Sequence, residues 1–220
     1  LTNGPTWGEG LFGGALSFDG DNDSVNLGNS LSLGGKADFT VTAWIKTSSG
    51  SDQVIMQQRN GGFNGQFQFR VNSSGNLGFY LFGNGGYQFD ISTSQTVNDG
   101  QWHYVAAVRE GDNGYIYIDG NPTPAASGSS AARDLSASIG MAIGRDIRDN
   151  SRTFNGLIDE VKFYGIAKTG SEFEEDFNEY LTLSSPVAVG SWPFEEGSGT
   201  TTADASGNGY DGTISGASWT

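Results

Sequence analysis

Chemistry in this chain would have to come from carboxylates, guanidinium groups and a single imidazole. Asp19-Gly20-Asp21-Asn22-Asp23 places three carboxylates within five residues, a density that suits an Asx-rich turn or a hard divalent cation gathering oxygen ligands. It is not an EF-hand loop, because Ser24 stands where that loop needs glycine and Ser30 where it needs a bidentate glutamate. Arg145, Asp146, Arg148, Asp149, Asn150 and Arg152 crowd a second polar segment. Mixed carboxylates and guanidinium groups can neutralise one another in water, or can bind sugar hydroxyls directly or through a bridging cation. The lone imidazole, His103, lies between Trp102 and Tyr104. Without a cysteine, a second histidine or a nucleophile elbow it lacks the partners of a catalytic triad or a multi-imidazole metal centre, and it reads as structural.

The elements that must position these groups are short strands. Phe12, Leu16 and Phe18 alternate with small or polar residues, and Val25 and Leu27 resume the alternation beyond the acidic turn. Phe39, Val41, Ala43 and Ile45 alternate with Thr40, Thr42, Trp44 and Lys46, which puts Trp44 on the face away from the core. Between Asp52 and Thr93 the segments QVIMQQR, GQFQFRV, NLGFYLF and YQFDIST are separated by glycine and asparagine turns. GQFQFRV turns Phe67, Phe69 and Val71 inward and Gln66, Gln68 and Arg70 outward, as a solvated face or a sugar-binding one. Asn113-Gly114 and Asp119-Gly120 mark hairpins, Pro122 to Leu135 reads as a loop, and FNGLIDEVKFYG restores strand alternation. Phe173, Phe177 and Tyr180 then recur at helical spacing, with Ser171 and Glu174 in the form of a capping box. The fold class is therefore all-β, a two-sheet antiparallel β-sandwich with one short helix near the C-terminal third.

Composition narrows the partners. The 220 residues carry 25 acidic against 11 basic side chains, a net charge of −14, which repels nucleic acid and anionic membrane and favours divalent cations or neutral ligands. Thirty-five glycines with five prolines and no Gly-X-Y period fit many tight turns. There is no cysteine, so an oxidising compartment would have to be withstood without disulfides. No apolar run is long enough to insert in a membrane, and Leu1 opens on no leader-like segment, so any export signal is expected to lie outside this chain.

Read together, FGGALSFDG followed by DxV, then FTVTAWIKT, DGQWHYVAAVREG, YIYIDG, IGRD and FNGLIDEVKFYG in that order resemble the laminin-G-like jelly rolls of the concanavalin A-like lectin/glucanase superfamily. The resemblance implies a sandwich whose first and last strands lie side by side, which would bring Asp19, Asp23 and Asp159 to a calcium ion. It also implies that Trp44 is a packing residue. Related pentameric lectins hold calcium near the equivalents of Asp52 and Asp146, which leaves room for a second, ligand-bridging ion. Carbohydrate is the implied partner. Its site is expected where the Arg145–Arg152 loop meets the turns at Asn60–Asn64 and Asn84–Tyr87, with Phe63 or Tyr87 stacking on a sugar and Arg59, Arg145 and Asn84 bonding its hydroxyls. Glu174-x-Asp176-x-x-Glu179 spells the carboxylate pattern of catalytic strands in related glucanases, but on a helix these groups splay around the polar side and serve solvation.

The expected function is a non-catalytic, calcium-stabilised carbohydrate-binding or adhesive module of an exported or cell-surface protein. Two other readings stay open: a glucanase or polysaccharide lyase of the same superfamily, and a purely structural repeat. The C-terminal stretch WPFEEGSG to YDGTISGASW looks like the segment that normally opens such a domain, and GASW (Gly216 to Trp219) echoes GPTW (Gly4 to Trp7). Residues 187–220 are thus expected to supply the opening strands of one domain spanning 1–220. The offset suggests a tandem array in which neighbouring repeats are partners.

Overall fold

A computed structural model describes residues 4–11, 13–29, 33, 35–59, 65–136, 140–148, 151–178 and 188–215. Phe12, Phe63, Glu179, Tyr180 and the GASW echo lie outside them, as do Asn60–Asn64, Asp149 and Asn150. The chain opens with β1 (Thr6–Glu9), β2 (Gly14–Asp19) and β3 (Ser24–Gly28), with the acidic turn between the last two. The alternating segments then form β4 (Phe39–Lys46), β5 (Gln53–Gln58), β6 (Gln66–Val71), β7 (Asn76–Gly83) and β8 (Gly86–Thr96). The two strong turn signals frame β9 (Trp102–Glu110) and β10 (Asn113–Ile118). The segment expected to be a plain loop contains a strand, β11 (Ala126–Ser129), paired with β10. It is followed by β12 (Met141–Ile143), β13 (Asn155–Tyr164), the helix α1 (Gly170–Asn178), and β14 (Gly190–Trp192), β15 (Thr201–Thr202) and β16 (Gly212–Ser215).

These strands form two antiparallel sheets. The first runs β1-β2-β13-β4-β9-β10-β11, with β14 also paired to β13, and the second runs β15-β16-β3-β12-β5-β6-β7-β8. Their inner faces meet in one apolar core. At its centre Phe39 stacks on Phe163 of its own sheet, with ring centroids 5.6 Å apart, and meets Phe67 and Phe79 of the other at 5.1 and 6.0 Å. Burying rings of this size supplies roughly 1.5–3 kcal/mol each, and the two-residue period then forces every intervening side chain of β6 and β7 onto the outer face.

The outer face of the first sheet is sealed by α1. Trp44, Tyr104 and Tyr117 pack beneath Phe173, and Phe177 stacks on Trp44 at 5.6 Å. The helix begins with a capping box two residues earlier than Ser171 and Glu174 would place it. The Thr169 N–H donates to Glu172 Oε2 (2.7 Å) and the Glu172 N–H to Thr169 Oγ1 (3.4 Å). Asp176 is not a solvated residue either: its side chain is buried against Lys168 and accepts the Tyr104 hydroxyl at 2.8 Å.

The described C-terminal residues contribute to both sheets. β14 pairs with Val161–Phe163, on the same side of β13 that β2 occupies further along, while β16 pairs with Ser24–Asn26 of β3. Trp192, Phe194 and Ile214 are buried by this docking. Glu195 reaches the paired glycines, where Gly13 has φ +84° and a Cβ would stand 2.5 Å from its carboxylate, and the Gly14 N–H donates to it at 3.0 Å. The glycine pair thus makes room for a strand-end arriving from the far end of the chain.

Candidate functional site

Among the described residues no helix lies over the outer face of the second sheet, although its Gln57, Gln66, Gln68 and Tyr80 are buried. Pairing across β5 to β8 aligns Gln57, Gln68, Tyr80 and Asp90 in one row, with Gln66, Phe82 and Tyr87 in the next. Arg70 lies over Gly78, where a Cβ would be 3.0 Å from its Nε, and so spans β7 to reach Asp90 on β8 at 2.9 Å. Tyr87 is 59% exposed, the most open large apolar side chain of the described residues. It stands edge-on to Tyr80 and Phe82, with centroids at 5.5 and 5.0 Å.

The loop after β12 folds back onto this face and delivers Asp146, which is fully buried. Its Oδ2 accepts from Arg59 Nη1 (3.1 Å), Arg152 Nη1 (3.1 Å) and Gln68 Nε2 (3.2 Å), and its Oδ1 accepts from the Arg148 N–H (3.1 Å). Arg59 also lies over the Tyr80 ring, 5.7 Å from its centroid. Burial depresses the affinity of the Arg59 guanidinium for its proton, and Asp146 opposes that shift.

Of the residues expected to bind ligand, Arg59, Tyr87 and Asp146 come to this face, and Asn84 sits exposed in the hairpin just beyond Phe82 and Tyr87. Arg145 does not. Its Nη1 donates to the Asn22 carbonyl at 2.6 Å, in the bend that follows Gly144, and only its neighbour Asp146 reaches the face. Asp52 stands at the opposite end of β5, accepting the Ser73 N–H at 2.7 Å, roughly 17 Å of strand away at about 3.3 Å per residue. Asp52 and Asp146 therefore form no common site. Gln57 and Tyr80 escaped the sequence reading. The alternation that turns Gln68 outward was visible, but the register that aligns it with them was not.

The three carboxylates expected at a calcium ion are only partly gathered. Asp23 Oδ2 accepts the Asp19 N–H at 2.8 Å, and Asp19 Oδ1 accepts the Asp21 N–H at 2.9 Å. On β13, however, it is Asn155 that faces Asp19; Asp159 lies four residues further along, where it accepts the Leu11 N–H at 3.2 Å. No group of three His, Cys, Asp or Glu side chains suited to a metal occurs among the described residues. Within the turn, Asp23 is buried, and its Oδ1 and the Asn22 Oδ1 have no hydrogen-bond partner. Desolvation, with Asp19 and Asp21 adding repulsion, pushes Asp23 up to about 6.

His103 ties a strand to its neighbouring turns. Its Nδ1 is 2.8 Å from Asp119 Oδ2 and its Nε2 3.2 Å from Asp99 Oδ1. The hydrogen bond to Asp119 raises its affinity for a proton.

The laminin G family model described as the concanavalin A-like lectin/glucanases superfamily matches residues 19–173. The chain belongs to this superfamily. A further similarity is to the adhesion G-protein coupled receptor V1 of Danio rerio, 25% identical over 155 residues, which span 65% of this chain and 2% of that receptor. Domain 4 of the extracellular arabinanase AbnA of Geobacillus stearothermophilus, solved in complex with arabinotriose, has a TM-score of 0.63 at 22% identity, covering 77% of this chain and 79% of that one. The CBM40 module of a Ruminococcus gnavus sialidase, solved with α2,3-sialyllactose, has a TM-score of 0.55 at 16% identity, covering 63% and 81%. The superfamily match takes in β3 to β13 and the open outer face, and it leaves β1 and the strands of 188–215 outside.

Proposed function

We propose that this superfamily domain is a non-catalytic carbohydrate-binding or adhesive module acting outside the cell or at its surface, with the open outer face of the second sheet as its glycan site. The observation that carries the reading is Tyr87, exposed beside Tyr80 and Phe82, with the Arg59 guanidinium over the adjoining Tyr80 ring. An aromatic ring stacks on the apolar face of a sugar while fixed donors bond its hydroxyls. The arabinotriose and sialyllactose complexes of the structural relatives and the adhesion receptor among the sequence relatives agree with this class. No helix among the described residues is long and apolar enough to cross a membrane. Glycan-array binding by the intact chain, lost in Tyr87→Ala with an unchanged melting temperature, is the expected result. Binding that survives Tyr87→Ala moves the site off this face.

Calcium belongs to the same proposal in a narrower form. The buried, unpartnered oxygens of Asn22 and Asp23 beside Asp19 suit a hard cation, which would complete its shell with main-chain carbonyls and water. Asp159 is not part of this site. Added calcium is expected to raise the melting temperature of the native chain and not that of Asp23→Asn; equal responses would remove the ion from the turn.

A further inference from the structure

Gly78 interrupts the side chains on the outer face of β7 and leaves Arg70 lying flat across the strand. A Cβ there would stand 3.0 Å from Arg70 Nε, 3.2 Å from its Cγ and 3.5 Å from Ser92 Oγ. Glycine inside a strand gives up packing, and it often marks a place where a ligand approaches the sheet closely. The pairing sets Arg70, Gly78 and Ser92 in one row, Tyr80 and Asp90 in the next, and Phe82 with Tyr87 in a third. Along β7 the middle row is roughly 7 Å from each neighbour, at about 3.4 Å per residue.

Arg70 is fixed in this position from two sides. Its Nη1 donates to Gln68 Oε1 at 3.3 Å and its Nη2 to Asp90 Oδ1 at 2.9 Å. A guanidinium carries more N–H donors, and a carboxylate more lone pairs, than these bonds consume. The side chains remain open to solvent, 20% exposed for Arg70 and 45% for Asp90. An ion pair this open adds little to stability, so it does not offset the packing given up at Gly78. Tyr80 lies opposite Asp90 and edge-on to Tyr87, so the exposed ring and the exposed pair stand on one floor.

We infer that Asp90 and Arg70 together grip two adjacent hydroxyls of a neutral sugar whose ring, or whose neighbour's ring, lies on Tyr87, so that the module selects neutral glycans over acidic ones. One hydroxyl donates to Asp90 and the other accepts from Arg70, and both hydrogen bonds are charge-assisted. Vicinal hydroxyls stand side by side, as the two charged groups do. A carboxylate on the sugar would bring a second anion to a guanidinium that Asp90 already pairs, and like charges brought together discriminate against the wrong ligand. This inference rests on the glycan reading and deepens it.

The experiment is titration calorimetry of the intact chain with three neutral sugars, arabinotriose, lactose and methyl-esterified oligogalacturonate, and two acidic ones, sialyllactose and unesterified oligogalacturonate. At least one neutral sugar is expected to bind ten-fold or more tightly than either acidic one. Its affinity should fall ten-fold or more in Asp90→Ala and in Arg70→Gln, at an unchanged melting temperature. Gly78→Ala keeps both charged groups but lifts Arg70 off the strand, and it should weaken the same sugar. Equal or tighter binding of an acidic sugar overturns the neutral selectivity. Binding that is lost in Tyr87→Ala yet unchanged in Asp90→Ala and Arg70→Gln overturns the diol assignment and leaves the glycan reading standing. Silence toward all of these sugars overturns the inference, and silence across a glycan array as well overturns the glycan reading with it.

Discussion

The two outer faces of the sandwich are built from the same alternation and finished in opposite ways. On the first sheet, Trp44, Tyr104 and Tyr117 are roofed by α1, and the buried cation Lys168 is matched by the carboxylate of Asp176. Lys168 also lies 4.8 Å from the Tyr164 ring, and Thr40 accepts its backbone N–H at 2.9 Å. On the second sheet the loop after β12 covers the row of Gln57 and Gln68 and brings Asp146 to Arg59, Arg148 and Arg152, while Tyr87 stands in solvent. A sealed face must balance its charges, because an unpaired ion in a low-dielectric interior is costly.

Both faces depend on the strands that residues 188–215 add to the two sheets, so the largest effect should come from removing them. Deleting 187–220 uncovers the partners of Trp192, Phe194 and Ile214, a loss of roughly 4.5–9 kcal/mol at about 1.5–3 per large side chain, comparable to the whole stability of a domain. The truncated chain is expected to be insoluble or unfolded by circular dichroism. A soluble monomer with an undiminished melting temperature would show that these strands are dispensable.

Next come the paired substitutions that oppose the two faces directly. Asp176→Ala leaves Lys168 buried and unpaired and should cost about 3–5 kcal/mol. Asp146→Ala should cost only roughly 2–3 kcal/mol, since Arg148 and Arg152 can turn toward water. Its larger consequence should be lost glycan binding. Denaturant melts that reverse this order would break the contrast between a sealed face and an open one.

Asp23 and His103 carry the comparison to the sandwich edges, where one charge is unbalanced and the other bracketed. Folding lifts Asp23 from 3.8 to about 6, so the folded state holds the extra proton between those values and loses stability as pH rises through them. Above pH 6 the penalty is complete, about 3 kcal/mol. Asp23→Asn should recover most of it at pH 7 without calcium, seen as a raised melting temperature; an unchanged or lowered one would mean that the carboxylate is already compensated. For His103 the sign is opposite to an ordinary buried imidazole. Its folded pKa is raised above 6.5 by Asp119, so its contribution is full below pH 6.5 and fades as pH rises through the folded value. His103→Gln should flatten that part of the stability profile, the smallest of these effects, and a slope that persists in the variant would assign it to another group.

Alternation, turn residues and motif order were enough to read the two-sheet jelly roll, the strands β5 to β8 with their outward amides, the packing role of Trp44 and the presence of the helix. Each of these is set within a few residues by the two- or 3.6-residue period and by glycine, asparagine and aspartate at the turns. What lay beyond the sequence was decided by parity and register between distant segments. Arg145 and Asp146 are neighbours that part to opposite sides, one to the Asn22 carbonyl and one to Arg59 and Gln68. Asp159 and Asp19 lie on adjacent strands yet four residues out of step. Asp176, spaced as a solvent-facing helical carboxylate, is buried because Lys168 and Tyr104 arrive beneath it from other elements. Local pattern dictates which way a side chain leaves its own strand, but what it meets depends on how residues a hundred positions apart align when the core closes.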